Sequence, residues 1–303
     1  MPVDRLIQSE AEVQTVAFTS EGASIVGACR DRIVRVWDLA QGTVKQTLSL
    51  EDGDRVADLP NGSDVLATVS KEGQIKTWNL QTGKVGIRLP GSTPQTGDVA
   101  VSPDRRYLVS SNGTASNGSE ETVHIWETDG RERASVPGGI GGTAVFAISP
   151  DNSTLVASSY DTNVRAWSAR NGELLGFIEQ LPVTMFAMAF SPDSKTLATG
   201  GADRIVYLWD TKTWKLSRKF AAHREMISSL AFSPDGKLLL TGGFNVITLK
   251  HPVDVVLHDV ASGKILRTVT AAHAVNSVAF SPDGKLAAFA DGQKSISFLK
   301  IVG

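Results

Sequence analysis

The stretch "LAFSPDGKLLLTGG" (residues 230–243) decides how the rest of the chain is read. A short apolar run leads into Ser-Pro-Asp-Gly, and a second apolar run leads out. Pro at the second position of a tight turn, with Asp and Gly behind it, reverses the chain between two strands. The phrase returns as "VAFSPDGKLAAFAD" (278–291). Weaker copies are "FTSEG" (18–22), "LPNG" (59–62), "VSPDR" (101–105), "ISPDN" (148–152) and "FSPDS" (190–194), which makes seven. From Pro60 onward, Pro103, Pro150, Pro192, Pro234 and Pro282 succeed one another at 42 to 48 residues. A period of that size marks a repeat architecture.

Each turn sits in one frame. Before it runs a strand-like segment such as "VQTVAF", "MFAMAF" or "VNSVAF", and after it one such as "SIVGACR" or "TLATGGA". A third run follows and ends in Trp at Trp37, Trp78, Trp126, Trp167 and Trp209. A fourth follows a further turn, as in "GTVKQTLSL" and "GKILRTVTA". The runs are short, β-branched and bounded by Gly, Pro, Asp and Asn, and no useful 3.6-residue period appears. Four short antiparallel strands per repeat form the blade of a β-propeller, and seven repeats give a closed seven-bladed, all-β ring. One domain is expected over 1–303.

The ends support this ring. "SISFLKIVG" (295–303) aligns with a third strand and has no fourth behind it, while "PVDRLIQSEAEVQTVAF" (2–18) aligns without a gap beneath "KILRTVTAAHAVNSVAF" (264–280). Residues of about 2–8 are therefore expected to pair with 295–302, close the ring and complete it within this chain. Closure removes edges that would otherwise invite aggregation.

The repeats resemble the WD40 family, on "RVWDLA" (Trp37-Asp38), "YLWDTK" (Trp209-Asp210) and the recurring "FSPDG". In that family a turn acid, the third-strand Trp, a strand Ser or Thr and a preceding His make a buried hydrogen-bonded set. Six residues before each Trp stand Asp31, Glu72, Glu120, Asp161 and Asp203, all acidic and suited to accepting amides of their own turn. The family's His occurs only at His223 and His273, before the sixth and seventh blades. Those blades lack the Trp and carry His258 and Leu299 instead. The resemblance therefore makes Trp37, Trp78, Trp126, Trp167, Trp209, Asp31, Asp161 and Asp203 structural.

Totals narrow the function. Net charge is −2 with 41% hydrophobic and 20% charged residues, so bulk charge does not favour nucleic acid or an anionic membrane. The lone Cys29 excludes an internal disulfide and two-thiol metal motifs, and it fits a reducing compartment. No long apolar run and no signal peptide are visible, so a cytoplasmic location is expected, with a mature periplasmic or secreted form left open. The His spacings match no metal motif, and no P-loop, GxGxxG or GxSxG stretch occurs. His124 shares the alternate third-strand site of Arg35, Lys76, Arg165 and Tyr207 and is read as solvated. "PGGIGGTAV" (137–145) is read as a connection between blades.

A non-enzymatic, cofactor-free, metal-free scaffold for protein or peptide partners, monomeric, is the reading the resemblance implies. The alternatives are an enzyme or small-molecule or metal site in the central channel, or a sensor module of a larger regulatory protein. The residues preceding the turn acids should line one rim of the ring: Arg30, Lys71, Ser119, Tyr160 and Ala202, of which Arg30, Lys71 and Tyr160 are joined by Arg224. These four form a basic and aromatic set for an acidic or phosphorylated peptide. On the same face, the enlarged loops 111–121 and 244–254 include Phe244. Trp214, outside the repeat pattern, falls in a turn on the opposite face, where it either covers a strand edge or offers a second contact surface.

Overall fold

The computed structural model describes residues 3–51, 53–89, 98–111, 120–179, 181–244 and 252–301. Seven four-stranded antiparallel sheets form the blades of a ring. The first runs Val13–Phe18, Ser24–Cys29, Ile33–Asp38, Val44–Ser49, inner strand to outer, and five more repeat that order up to Ile265–Ala271. The seventh takes Ser277–Phe280, Leu286–Ala290 and Ser295–Lys300 from the end of the chain and Arg5–Gln8 from its beginning. Arg5 stands opposite Phe298 and Gln8 opposite Ser295, in the pairing that the aligned ends predict. Among the described residues there is no helix.

The repeated turn has a local cause. In the sixth blade the Ser233 hydroxyl donates to Asp235 Oδ1 (2.6 Å) and accepts the Leu238 amide (2.9 Å), while the Lys237 amide donates to Asp235 Oδ1 (3.1 Å). Blades four, five and seven repeat the Ser–Asp bond at Ser149, Ser191 and Ser281. The turn's last residue is left-handed in every blade, from Gly22 (φ 69) to Gly284 (φ 70), and Arg105, Asn152 and Ser194 accept it without glycine.

The core is divided. Seven apolar clusters lie one at each junction between blades, so each sheet buries both faces against its neighbours. At the closing junction Ile7, Ile296 and Phe298 pack with Val13, Phe18 and Trp37.

Burial on both faces overturns the reading of His124 and its equivalents as solvated. Arg35 is 3% exposed and ion-paired to Asp31 (2.7 Å), and Lys76 is buried against Asp54 (3.0 Å). Arg165 pairs with Asp161 (2.6 Å), and the Tyr207 hydroxyl donates to Asp203 (2.7 Å). His124 itself stacks on Trp126 (5.4 Å between centroids), with Nδ1 2.8 Å from Glu132. A ring has no solvated sheet face for these chains to reach. The segment 137–145 is likewise mostly strand. Glu132–Ile140 runs through it because the third strand, Glu120–Glu127, is long enough to pair as far as Ile140, leaving Gly141 and Gly142 as the link. Gly139 is required there, since a Cβ would stand 2.6 Å from Ser159 Oγ.

Candidate interaction face

The turns between second and third strands build one rim of the ring. In the first, fourth and fifth blades the amide two residues after the acid donates back to it: Ile33 to Asp31 (3.1 Å), Asn163 to Asp161 (3.1 Å), Ile205 to Asp203 (3.3 Å). The residue after the acid is left-handed, as at Arg32, Thr162 and Arg204. The Arg35 guanidinium holds the Asp31 carboxyl below the usual carboxylate range. These groups are spoken for within the fold. The side chain of Glu120 lies outside the described residues.

The third-strand tryptophans lock the blades from within. The indole of Trp78 donates to Thr68 (2.9 Å), that of Trp126 to Ser110 (2.9 Å) and that of Trp209 to Thr199 (3.1 Å). In the first blade Gly27 occupies the hydroxyl's place and Trp37 Nε1 has no partner. Trp167 is buried as well. The sixth blade substitutes imidazole for indole. Thr241 Oγ1 lies 2.6 Å from His223 Nε2, 3.2 Å from His258 Nε2 and 3.2 Å from the Val256 carbonyl. One hydroxyl proton and two lone pairs satisfy all three if the hydroxyl donates to the carbonyl and both Nε2–H groups donate to the hydroxyl. Protonation would then charge the buried Nδ1 atoms, which make no hydrogen bond. Burial accordingly lowers both imidazoles to about 4.

Of the residues just before the turn acids, Arg30, Lys71 and Tyr160 do project to solvent, and they fall into two groups. Arg30 and Lys71 stand on the first and second blades. Arg30 is paired with Glu12 (2.7 Å), and the Lys71 stem lies over Gly53, where a Cβ would be 2.6 Å from its Cγ. Tyr160, 55% exposed, stands on the fourth blade, edge-on to Phe186 (6.4 Å, 63°). Phe186 opens a cleft of about 340 Å³ lined also by Met226, Ile227, Ser228, Phe244 and Asn276. Met226 and Phe244 are paired across strands Met226–Phe232 and Leu238–Phe244, and exposed Arg224 lies two residues before Met226. Tyr160, Phe244 and Arg224 are thus associated with one patch of the rim, spanning blades four to six. Residues 112–119 and 245–251 of the two enlarged loops lie outside the described residues.

Phe186 and Met226 are the members that sequence reading missed. Within "MFAMAF" Phe186 looks like one more core residue. It is in fact the extra residue of a β-bulge: Met185 faces Gly201, Ala187 faces Gly200, and Phe186 faces none. A bulge re-aims its side chain, here onto the rim. Ser228 is the corresponding bulge residue of the sixth blade.

Trp214 lies on the opposite side of the ring, in the turn before the outer strand Lys215–Ala221. It is left-handed (φ 55) where four other blades use Gly42, Gly83, Gly172 and Gly263. That conformation costs a non-glycine residue about 1–2 kcal/mol. Its ring offsets the cost by packing on Gly176 of the neighbouring blade, as part of the junction core.

The profile of the "WD domain, G-beta repeat" matches residues 2–38, 137–168, 180–210, 214–245 and 263–297, more than half of the chain. The chain belongs to the WD40 family. Among curated proteins it is similar to Autophagy-related protein 16 of Arabidopsis thaliana, 26% identical over 161 residues, 52% of this chain and 30% of that protein. WD repeat-containing protein slp1 of Schizosaccharomyces pombe is 25% identical over 54% of this chain and 34% of its own length. The Small ribosomal subunit protein RACK1 of Caenorhabditis elegans is 28% identical over 51% and 50%. The chain thus spans a third to a half of the length of these relatives. Among the departures of this WD40 chain from the repeat pattern, Gly27, His258 and Leu299 are buried.

Proposed function

We propose that this chain is a non-enzymatic WD40 scaffold that binds linear segments of partner proteins on the rim of blades four to six. The observation that carries this is the contact of exposed Tyr160 with half-buried Phe186, which opens on the cleft of Met226, Ile227 and Phe244. An apolar anchor residue of a partner fits such a cleft, because aromatic and aliphatic walls gain most when a side chain displaces their water. Arg224 at the margin favours an acidic residue beside the anchor, and Arg30 and Lys71 extend the basic character around the ring. A binding role is supported over catalysis because the histidines and acids of the repeats are committed to internal bonds. The ring then acts as one domain and a monomer, in a reducing compartment where buried Cys29 stays a thiol, and without nucleic acid or membrane.

The test is affinity capture from the native host with the folded chain, set beside Phe186→Ala, Tyr160→Ala and Arg224→Ala. Partners recovered by the wild type should be lost with Phe186→Ala and Tyr160→Ala, while circular dichroism stays unchanged. Equal recovery by all forms removes this face from consideration.

A further inference from the structure

The outer strand of the fourth blade differs in kind from the other six. Outer strands elsewhere each carry a charge: Lys45, Arg88, Arg133, Lys219, Arg267 and Arg5 are examples. Charges of this sort blunt a sheet edge against further pairing. Leu174–Ile178, "LLGFI", has none. It pairs with Val164–Ser168 on one side and is last in its sheet, so the backbone groups on its other side face no strand among the described residues.

Its side chains are unusually exposed for their type. Leu175 is 45% and Phe177 38% exposed, and Leu174 is more exposed than either. A bulge at Leu175 breaks the alternation, and Gly176, opposite Ala166, faces the fifth blade, where Trp214 covers it and exposed Leu216 stands opposite Trp209. Leu174, opposite Trp167, and Phe177, opposite Arg165, share the other face, with the Arg165 guanidinium 5.0 Å from the centre of the Phe177 ring. Apolar ground therefore flanks the edge on both sides, as an added strand requires for its alternating side chains.

The charges at its ends select the occupant. Glu173 and Glu179 bracket the strand, both exposed and neither ion-paired among the described residues. If two copies of this chain paired antiparallel about Gly176, Glu173 of each would stand opposite Glu179 of the other. Like charges directly opposite disfavour that pairing. A strand from a different protein, with Lys or Arg at each end and apolar residues between, meets no such penalty.

We infer that Leu174–Ile178 is a β-augmentation site for an extended, basic-ended apolar segment of a partner protein, separate from the rim of blades four to six. The probe is a fluorescein-labelled peptide Lys-Val-Thr-Val-Thr-Val-Lys, compared with the same peptide ended in Glu, by fluorescence anisotropy on the full chain. The Lys-ended peptide should bind at least about tenfold more tightly than the Glu-ended one. Leu175→Lys, a surface change, should abolish binding. The double variant Glu173→Lys/Glu179→Lys should reverse the preference, and Tyr160→Ala should leave it unchanged, which separates this edge from the rim. Absence of binding by the Lys-ended peptide at about 1 mM overturns the inference. Binding indifferent to Leu175→Lys overturns it too, as does a wild-type dimer in sedimentation that this substitution dissolves.

Discussion

Ile7 and Leu6 are neighbours in the strand that closes the ring, and they point to opposite faces. Ile7 is 3% exposed and packs with Ile296, Phe298 and Val13, whereas Leu6 is 43% exposed. Truncating Ile7 to Ala removes buried carbon from the seventh-blade side of the closing junction and leaves a cavity there. Large-to-small changes at such sites cost about 2–5 kcal/mol, of which transfer alone accounts for roughly 2. We take about 3 kcal/mol for Ile7→Ala, because the strand is only four residues long and relaxes toward the void. In a chain of this size that corresponds to a fall in melting temperature of roughly 5 °C. Leu6→Ala, at a half-exposed side chain of this outermost strand, should stay within about 0.5 kcal/mol of wild type.

The assay is equilibrium unfolding in urea followed by circular dichroism, with both variants at matched pH and salt. Removing residues 1–9 altogether should exceed Ile7→Ala. It deletes the ladder to Ser295–Lys300 as well as the bonds from Asp4 to the Lys300 amide (2.7 Å) and to Arg267 (2.8 Å). Equal losses at Leu6 and Ile7, or an Ile7→Ala variant as stable as wild type, would refute the reasoning that this strand carries the closure.

Acidification should weaken the sixth blade. The imidazoles of His223 and His258 sit at about 4 when folded against an ordinary 6.5, so the unfolded chain takes up their protons first, and stability falls as pH drops from 6.5 to 4, by about 3 kcal/mol per imidazole. His223→Asn should flatten that fall in urea unfolding at pH 7 and pH 5, and an unchanged slope would contradict the account. Asp58 behaves oppositely. Burial pushes its carboxyl up to about 7, although it accepts the Val101 amide (2.7 Å), so its ionisation opposes folding above pH 7 and not below 4. Asp58→Asn should therefore stabilise the chain at pH 8 and not at pH 4. The full shift is worth about 4 kcal/mol, and because part of the residue stays accessible we expect about 2. Gly27→Ala puts a Cβ 2.8 Å from the Trp37 ring and should cost about 1–3 kcal/mol in the same unfolding assay.

What was legible in the sequence is what is local. The Ser-x-Asp turn closes by bonds within six residues, so each copy displays its own evidence, and seven copies fix strand order and blade number together. The closing strand was legible for the same reason, since Arg5 and Ile7 occupy the alternating positions of Arg267 and Val269. What was illegible depends on neighbours in space. A lysine at Lys76 reads as solvated in any isolated strand. It is buried because the ring places Asp54 against it. The candidate site divides along the same line. Tyr160 and Arg30 were visible because turn chemistry puts the residue before the acid at the tip. Phe186 was not, because one extra residue in a strand leaves the apolar pattern "MFAMAF" intact while changing where a side chain points. A bulge shifts register without changing composition. In this fold, five of the seven inner strands carry such a shift, four of them near the end that reaches the rim. Phe186 is the case that matters here, since alternation alone does not place it in the cleft that it lines.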